Sequence, residues 1–351
     1  MLNLIQIIAI ILVAQILGCQ GQNTQEQLKV GESVFVHERE LTANENLQNV
    51  LLNYGIDLFH SEVIAYKGQI IISSRGGKIM SLTMDGEVNW SLERPGRGPG
   101  EFEDPHDMQI TDDMIGILNK EDAKIILYTI KGQFYKDVKL RGSADQFGMV
   151  DGGVHIFYPY HNDFLFARYD IETGEEQRYG DRDLIEVLPE RRTSDNFMFY
   201  RNILQTDDRY TVVGLVHYAL ILIYDREEDS GTLMDLSEEM EIAASLKSHR
   251  EWVKKSPRGA GVTSHFLDLV KTGDFFGVII PGPWEKDYAS MYRISPHGRI
   301  YDKVYKAMEG EFKVGAMKNL TMLDDGIYFG HISSMDRLVI VSIAEEEMSS
   351  N

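Results

Sequence analysis

Apolar and polar residues alternate in short runs along most of this chain, and turn-forming residues separate the runs. Between Arg94 and Phe134, Met108 and Ile110 alternate with polar neighbours, Ile115 and Ile117 do the same, and Ile125, Leu127 and Tyr128 follow. Runs with a period of two predict half-buried antiparallel strands. Asp112-Asp113, Asn119–Lys124 and Lys131-Gly132 supply the turns between them. Strand and turn alternate four times, which is the meander of a β-propeller blade. Ahead of it, Gly96, Gly98 and Gly100 give backbone freedom for a tight loop, Pro99 stiffens that loop, and Pro105 stands where the first strand begins.

Degraded copies of this unit recur, and two independent rulers count them. The turn after the third strand falls at Met84–Glu87, Lys131-Gly132, Thr173-Gly174, Ser230-Gly231 and His297-Gly298, with a sixth near Glu345–Glu347. The second strands fall at Ile70–Ser73, Ile115–Leu118, His155–Tyr158, Thr211–Leu215, Phe275–Ile280 and Ile327–Gly330. Both rulers give six. The predicted fold is all-β: a six-bladed β-propeller of four-stranded antiparallel blades.

Two segments break the pattern. Ser237–Lys255 carries Ile242, Leu246 and Val253 on one helical face, opens with acidic residues and ends on Lys254-Lys255. It predicts a short helical insertion between blades 4 and 5. Ala43–Asn53 predicts a second helix, with Thr42 and Glu45 at capping-box spacing. Glu32–Glu38 reads as a lone strand ahead of blade 1. Supplying the outer strand of the last blade, it would close the ring and cover an otherwise open sheet edge.

Gly100-Glu101-Phe102, Pro105, Ile110, Ile115, Ile125 and Gly132-Gln133-Phe134 occupy the places of an NHL-type repeat. The run Gly96-Arg97-Gly98-Pro99-Gly100-Glu101-Phe102 also resembles that of six-bladed propeller lipoproteins of Bacteroidetes. Gly310-Glu311-Phe312 echoes it near the C-terminus. The motif specifies a propeller and leaves the function open.

The N-terminus changes the picture. Residues 1–18 are uncharged and mostly apolar, too short a run for a spanning helix, and read as a signal peptide. Cys19, the only cysteine, follows Ile16-Leu17-Gly18, a sequence that resembles a lipobox and implies lipidation of Cys19. A single cysteine excludes internal disulfides. The expected organisation is a signal peptide over 1–18, a polar tether over 19–31, the propeller over 32–345 and an acidic, polar tail over 346–351. By resemblance to enterobacterial sorting signals and to the export signals of Bacteroidetes lipoproteins, Gln20 in place of Asp and the lack of an acidic run after Cys19 imply the periplasmic face of the outer membrane, with the N-terminal lipid as the membrane contact. The net charge of −20 argues against nucleic acid as a partner. A monomer is expected.

Propellers bind ligands at the mouth of the central channel, on loops entering each innermost strand. Nine or ten residues upstream of the second strands stand His60, His106, Gln146, Arg201, His265 and Lys318. His60, His106 and His265 suggest a divalent metal in the channel, with Asp107 or Glu62 as an oxygen ligand. Arg201 and Lys318 beside them suggest instead a small anionic ligand held by charge-assisted hydrogen bonds. A hydrated polar funnel with neither is the plainer alternative. The chain shows no nucleophile elbow, phosphate loop, zinc-protease helix or cysteine nucleophile. Three functions follow from resemblance: a non-catalytic binding lipoprotein; a metal-dependent hydrolase or lyase similar to gluconolactonase and arylesterase propellers; and an envelope-protein platform similar to TolB-like propellers. The first fits the sequence best.

Overall fold

The computed structural model describes residues 33–150, 152–158, 163–185, 202–216, 218–237, 268–272, 274–281, 289–296, 300–305, 317–324, 327–332 and 337–345, with the isolated positions 243 and 247. The chain divides into a unit of residues 1–31, which lies outside the described residues, and a unit from Glu32 to Asn351. The second unit opens with strand β1 (Ser33–Glu40) and helix α1 (Glu45–Asn53). Blade 1 holds β2 (Ser61–Tyr66), β3 (Gln69–Ser74), β4 (Lys78–Thr83) and β5 (Val88–Glu93). Blade 2 holds β6 (Asp107–Thr111), β7 (Met114–Asn119), β8 (Lys124–Thr129) and β9 (Phe134–Lys139). Blade 3 holds β10 (Phe147–Val150), β11 (Gly153–Phe157), β12 (Phe166–Asp170) and β13 (Glu176–Tyr179). Blade 4 holds β14 (Asn202–Thr206), β15 (Tyr210–Leu215), β16 (Leu220–Asp225) and β17 (Ser230–Asp235). Blade 5 holds β18 (Asp268–Thr272), β19 (Phe275–Pro281), β20 (Ala289–Ile294) and β21 (Ile300–Tyr305). The last three strands are β22 (Met317–Asp324), β23 (Ile327–Ile332) and β24 (Arg337–Glu345).

Within each blade the strands pair in sequence order and antiparallel. Two-residue turns set the register where the sequence puts residues tolerant of positive φ: Lys67-Gly68 (φ 48° and 75°) in blade 1 and Asp112-Asp113 (φ 48° and 59°) in blade 2. The innermost strands touch in a closed cycle, β2 to β6, β10, β14, β18, β22 and back to β2. Between the blades lie apolar layers. Ile71, Ile79, Phe102, Met108, Ile115, Ile117, Ile126 and Tyr128 fill the one between blades 1 and 2.

β1 is the latch. It pairs antiparallel with β24 from Ser33↔Glu345 to Glu40↔Val339, with a bulge at His37/Arg39, and so becomes the fourth strand of blade 6. Its first two residues also pair, in parallel, with Val304 and Tyr305 of β21. That contact joins blades 5 and 6 into one eight-stranded sheet. The outer edge of blade 6 is thereby paired instead of open.

A second fastening runs around the outside. The third residue of an outer strand donates to the carbonyl just past the third strand of the next blade: Trp90 Nε1 to Ile130 O at 2.9 Å, and Lys136 Nζ to Ile171 O at 2.8 Å. Gly132 gives the Trp90 ring its seat, since a Cβ there would lie 2.7 Å from the ring. In blade 1, α1 takes this place: a Cβ on Gly86 would lie 2.8 Å from Leu47 Cα.

Two local expectations change. The cap of α1 is Asn44, whose side chain accepts from Asn46 N at 2.9 Å. Thr42 is instead turned to Glu40 and to the N–H of Leu338, so no Thr42–Glu45 capping box forms. Ser230-Gly231 opens β17, and the turn before it spans residues 226–229, with Asp229 at φ 47°. The insertion at Ser237–Lys255, the turn at His297-Gly298, Gly310–Phe312 and Trp284 lie outside the described residues, apart from Ser237 and the two isolated positions.

Candidate functional site at the channel mouth

Each blade's second strand fixes which residue of the innermost strand stands at the mouth. The residue opposite the fifth position of that strand is Glu62 in blade 1, Asp107 in blade 2, Ile203 in blade 4, Asp268 in blade 5 and Lys318 in blade 6. Extending the blade 3 ladder one step beyond Phe147↔Ile156 places Gln146 there. Gln146 and Lys318 are therefore ring positions, and so are Glu62 and Asp107.

His60 and His106 lie just outside the ring. His60 closes a single helical turn, Leu58–His60, with Nδ1 2.6 Å from Asp57 Oδ2. His106 is exposed, with Nδ1 3.1 Å from the carbonyl of Asp104. Arg201 and His265 lie outside the described residues. Among the described residues no group of three or more His, Cys, Asp and Glu converges as a metal site would require. The six ring positions are thus Glu62, Asp107, Gln146, Ile203, Asp268 and Lys318, and neither His60 nor His106 is among them.

What these side chains do follows from their position. The free edge of each innermost strand faces the channel, and its N–H groups need acceptors. Asp107 Oδ1 accepts from its neighbour Met108 N at 2.9 Å, and Oδ2 accepts from Phe147 N of blade 3 at 3.0 Å. Gln146 Oε1 accepts from Leu204 N of blade 4 at 2.7 Å. Phe147 and Leu204 each follow their own blade's ring position, so the two bonds are one device used twice. Asp268 Oδ1 accepts from Leu269 N at 2.8 Å. Burial, reinforced by the charge of Glu62, pushes the Asp107 carboxyl well above the usual carboxylate range.

Below the mouth, a cavity of about 300 Å³ is lined by residues of all six blades. Its polar wall includes Gln109, Gln205 and Lys271, and its apolar wall Ile64, Ile110, Val270 and Met322. Lys271 is engaged by the Asp207 carboxylate.

The glycine-rich loop is held by partners invisible to a motif search. Lys124, almost fully buried, donates to Gly98 O at 2.8 Å and Arg97 O at 3.3 Å, with Asp137 Oδ2 at 3.5 Å. Asp137 accepts from Gly100 N at 3.2 Å, and the Tyr128 hydroxyl donates to Gly100 O. The loop is a joint between blades 1 and 2. The sequence signal for it was a lysine opening an apolar strand, the place where a buried cation must find acceptors.

No curated protein matches the sequence. Among solved structures, the chain is similar to a DUF4221 family member from Bacteroides vulgatus, at 9% identity and TM-score 0.52, over 90% of this chain and 99% of that one. It is also similar to a catalytically inactive virginiamycin B lyase from Staphylococcus aureus solved with quinupristin, at 11% identity and TM-score 0.51, over 89% of this chain and all of that one. Likeness at such identity speaks for the fold alone. Residues 60–238, from the turn before β2 to just past β17, match the DUF5128 family, described as a 6-bladed beta-propeller, and the chain belongs to that family.

Proposed function

We propose that this chain is an envelope-anchored lipoprotein whose propeller binds a ligand or a partner protein without catalysing a reaction. The observation that carries the reading is the commitment of the ring: Asp107, Gln146 and Asp268 spend their oxygens on backbone N–H groups of the innermost strands. Groups used to close an edge are architecture, whereas a catalytic acid, base or ligand presents its reacting atoms to substrate. Lipidation of Cys19 and a place on the periplasmic face of the outer membrane complete the proposal, resting on the lipobox-like Ile16–Cys19 and the tether after it.

Two measurements test it. Gln146→Leu strands the Leu204 N–H and should cost about 1–3 kcal/mol, lowering Tm by several degrees. An unchanged or raised Tm would mean the position is kept for a ligand at the expense of stability. Labelled palmitate should enter the wild-type protein and not Cys19→Ala, and that variant should leave the membrane fraction. Label retained in the variant would remove the anchor from the proposal.

A further inference from the structure

One level below the ring, the innermost strands present the residues opposite the third position of each second strand. These are Ile64, Gln109, Gly148, Gln205 and Val270 in blades 1 to 5. Gln109 and Gln205 thus hold the same register in blades 2 and 4, and both line the central cavity. Between them blade 3 offers bare backbone. A Cβ on Gly148 would sit 2.4 Å from Thr206 Cγ2 and 2.9 Å from Leu204, so blade 4 packs directly on that glycine.

The charged groups of the cavity are already engaged: Asp107 by two N–H groups, Asp268 by Leu269 N, and Lys271 by Asp207. The glutamines keep hydrogen-bonding capacity in reserve. The Gln205 side chain makes no hydrogen bond among the described residues, and the Gln109 side chain is hydrogen-bonded to the Asp107 carboxyl through its NH₂ group, which leaves its carbonyl oxygen as an acceptor. The Gln205 amide and the remaining acceptor of Gln109 line the same cavity as Ile64, Ile110, Val270 and Met322.

We propose that this level of the channel is a binding site for a neutral peptide-like ligand, whose amide is read by Gln109 and Gln205 while its apolar part rests on the wall of blades 1, 5 and 6. An amide carries one donor and one acceptor, which a glutamine side chain matches, and neither asks for a charge. The cavity, about 300 Å³, is at the small end of ligand sites and suits a capped dipeptide. The assignment rests on the non-catalytic reading above and names the ligand class for it.

The test titrates the full chain with N-acetyl-glycyl-glycinamide, with glucose and succinate as comparison ligands, by calorimetry and by the side-chain amide resonances of ¹⁵N-glutamine-labelled protein. Saturable binding of the capped dipeptide near the millimolar range is expected, weakened about tenfold or more by either Gln109→Leu or Gln205→Leu. Two glutamine side-chain resonances should shift in the wild type, and this readout needs no variant to fold. Absent binding, binding insensitive to both substitutions, unmoved glutamine resonances, or preference for glucose or succinate would each overturn the site. Cleavage of the dipeptide in the tube would overturn the non-catalytic reading while leaving the site standing.

Discussion

Blades 2 and 3 meet, and blades 3 and 4 meet, on the same register, yet the two interfaces are filled by opposite chemistry. At the third position of the second strand blade 2 has Gly116 and blade 3 has His155. Gly116 makes room: the space a Cβ would need is occupied by Met149 Sδ at 2.4 Å and the Phe147 ring at 2.9 Å. The resulting layer is apolar, with Leu118, Leu127, Phe147, Met149, Val154 and Ile156 buried together. His155 instead opens a polar chain within an aromatic stack, where Tyr179 lies on Phe166 with ring centroids 5.1 Å apart. Arg226 Nη1 donates to Thr211 Oγ1 at 2.9 Å, Thr211 bonds Tyr179, and Tyr179 lies 2.8 Å from His155 Nδ1. Arg226 can only donate to Thr211, and which of Tyr179 and His155 Nδ1 donates to the other follows the imidazole tautomer. The other ring nitrogen, His155 Nε2, is buried and finds no partner among the described residues. One scaffold thus tolerates an apolar layer and a polar one at the same level of successive joints. The polar joint ties its stability to pH.

The strongest way to break the comparison is to fill the apolar joint. Gly116→Val forces three carbons into space held by Met149 and Phe147, and blades 2 and 3 must part or their side chains leave good rotamers. A loss of about 3 kcal/mol in urea unfolding is expected. A loss under about 0.5 kcal/mol would show that this interface has slack, and that glycine is not what separates it from its neighbour.

Much of this architecture was legible before any coordinates. Period-two runs and glycine turns located all six second strands, and the lone strand at Glu32–Glu38 announced the latch seen at Ser33–Glu40. The ring at the channel mouth was legible only in part, for a physical reason. Tight two-residue turns put the ring residue seven positions before the second strand, as from Glu62 to Gln69 and Asp107 to Met114, not nine or ten. In blade 6 two register shifts in β22 lengthen the spacing to Lys318. The longer ruler therefore found Lys318 but drew attention to His60 and His106, outside the ring. The polar chain at His155 was not legible at all, because Thr211 and Arg226 reach it, through Tyr179, across a blade boundary that no local pattern encodes.

The next test acts on the polar joint through pH. Burial, with the charges of Arg226 and Arg168, lowers the His155 pKa to about 3. The unfolded chain protonates this histidine near pH 6.5 and the folded chain does not. Its contribution is therefore intact above pH 6.5 and is lost as pH falls toward 3, at up to about 1.4 kcal/mol per unit. His155→Phe keeps the ring and removes the titration. Relative to wild type, the variant should gain about 2 kcal/mol between pH 6.5 and 4.5 in urea unfolding series. At pH 7 it should cost about 1 kcal/mol for the bond to Tyr179. Parallel pH profiles of the two proteins would mean that His155 does not set the acid sensitivity of this interface.

The smallest expected effect probes whether the polar joint acts as one unit. Thr211→Val preserves volume but removes the hydroxyl that accepts from Arg226 and bonds Tyr179. Alone it should cost about 1 kcal/mol at pH 7, the net worth of one partly compensated hydrogen bond. Combined with His155→Phe it should cost less than the sum, by about 0.5 kcal/mol or more, because Tyr179 then has no imidazole partner for the chain to support. The same cycle with Gly116→Val in place of His155→Phe should be additive to within about 0.5 kcal/mol, since Met149 and Phe147 pack against blade 2 and not against this chain. Coupling in the second cycle as large as in the first would mean that strain passes through blade 3 from one joint to the other, and the two interfaces would then be a single mechanical element filled in two ways.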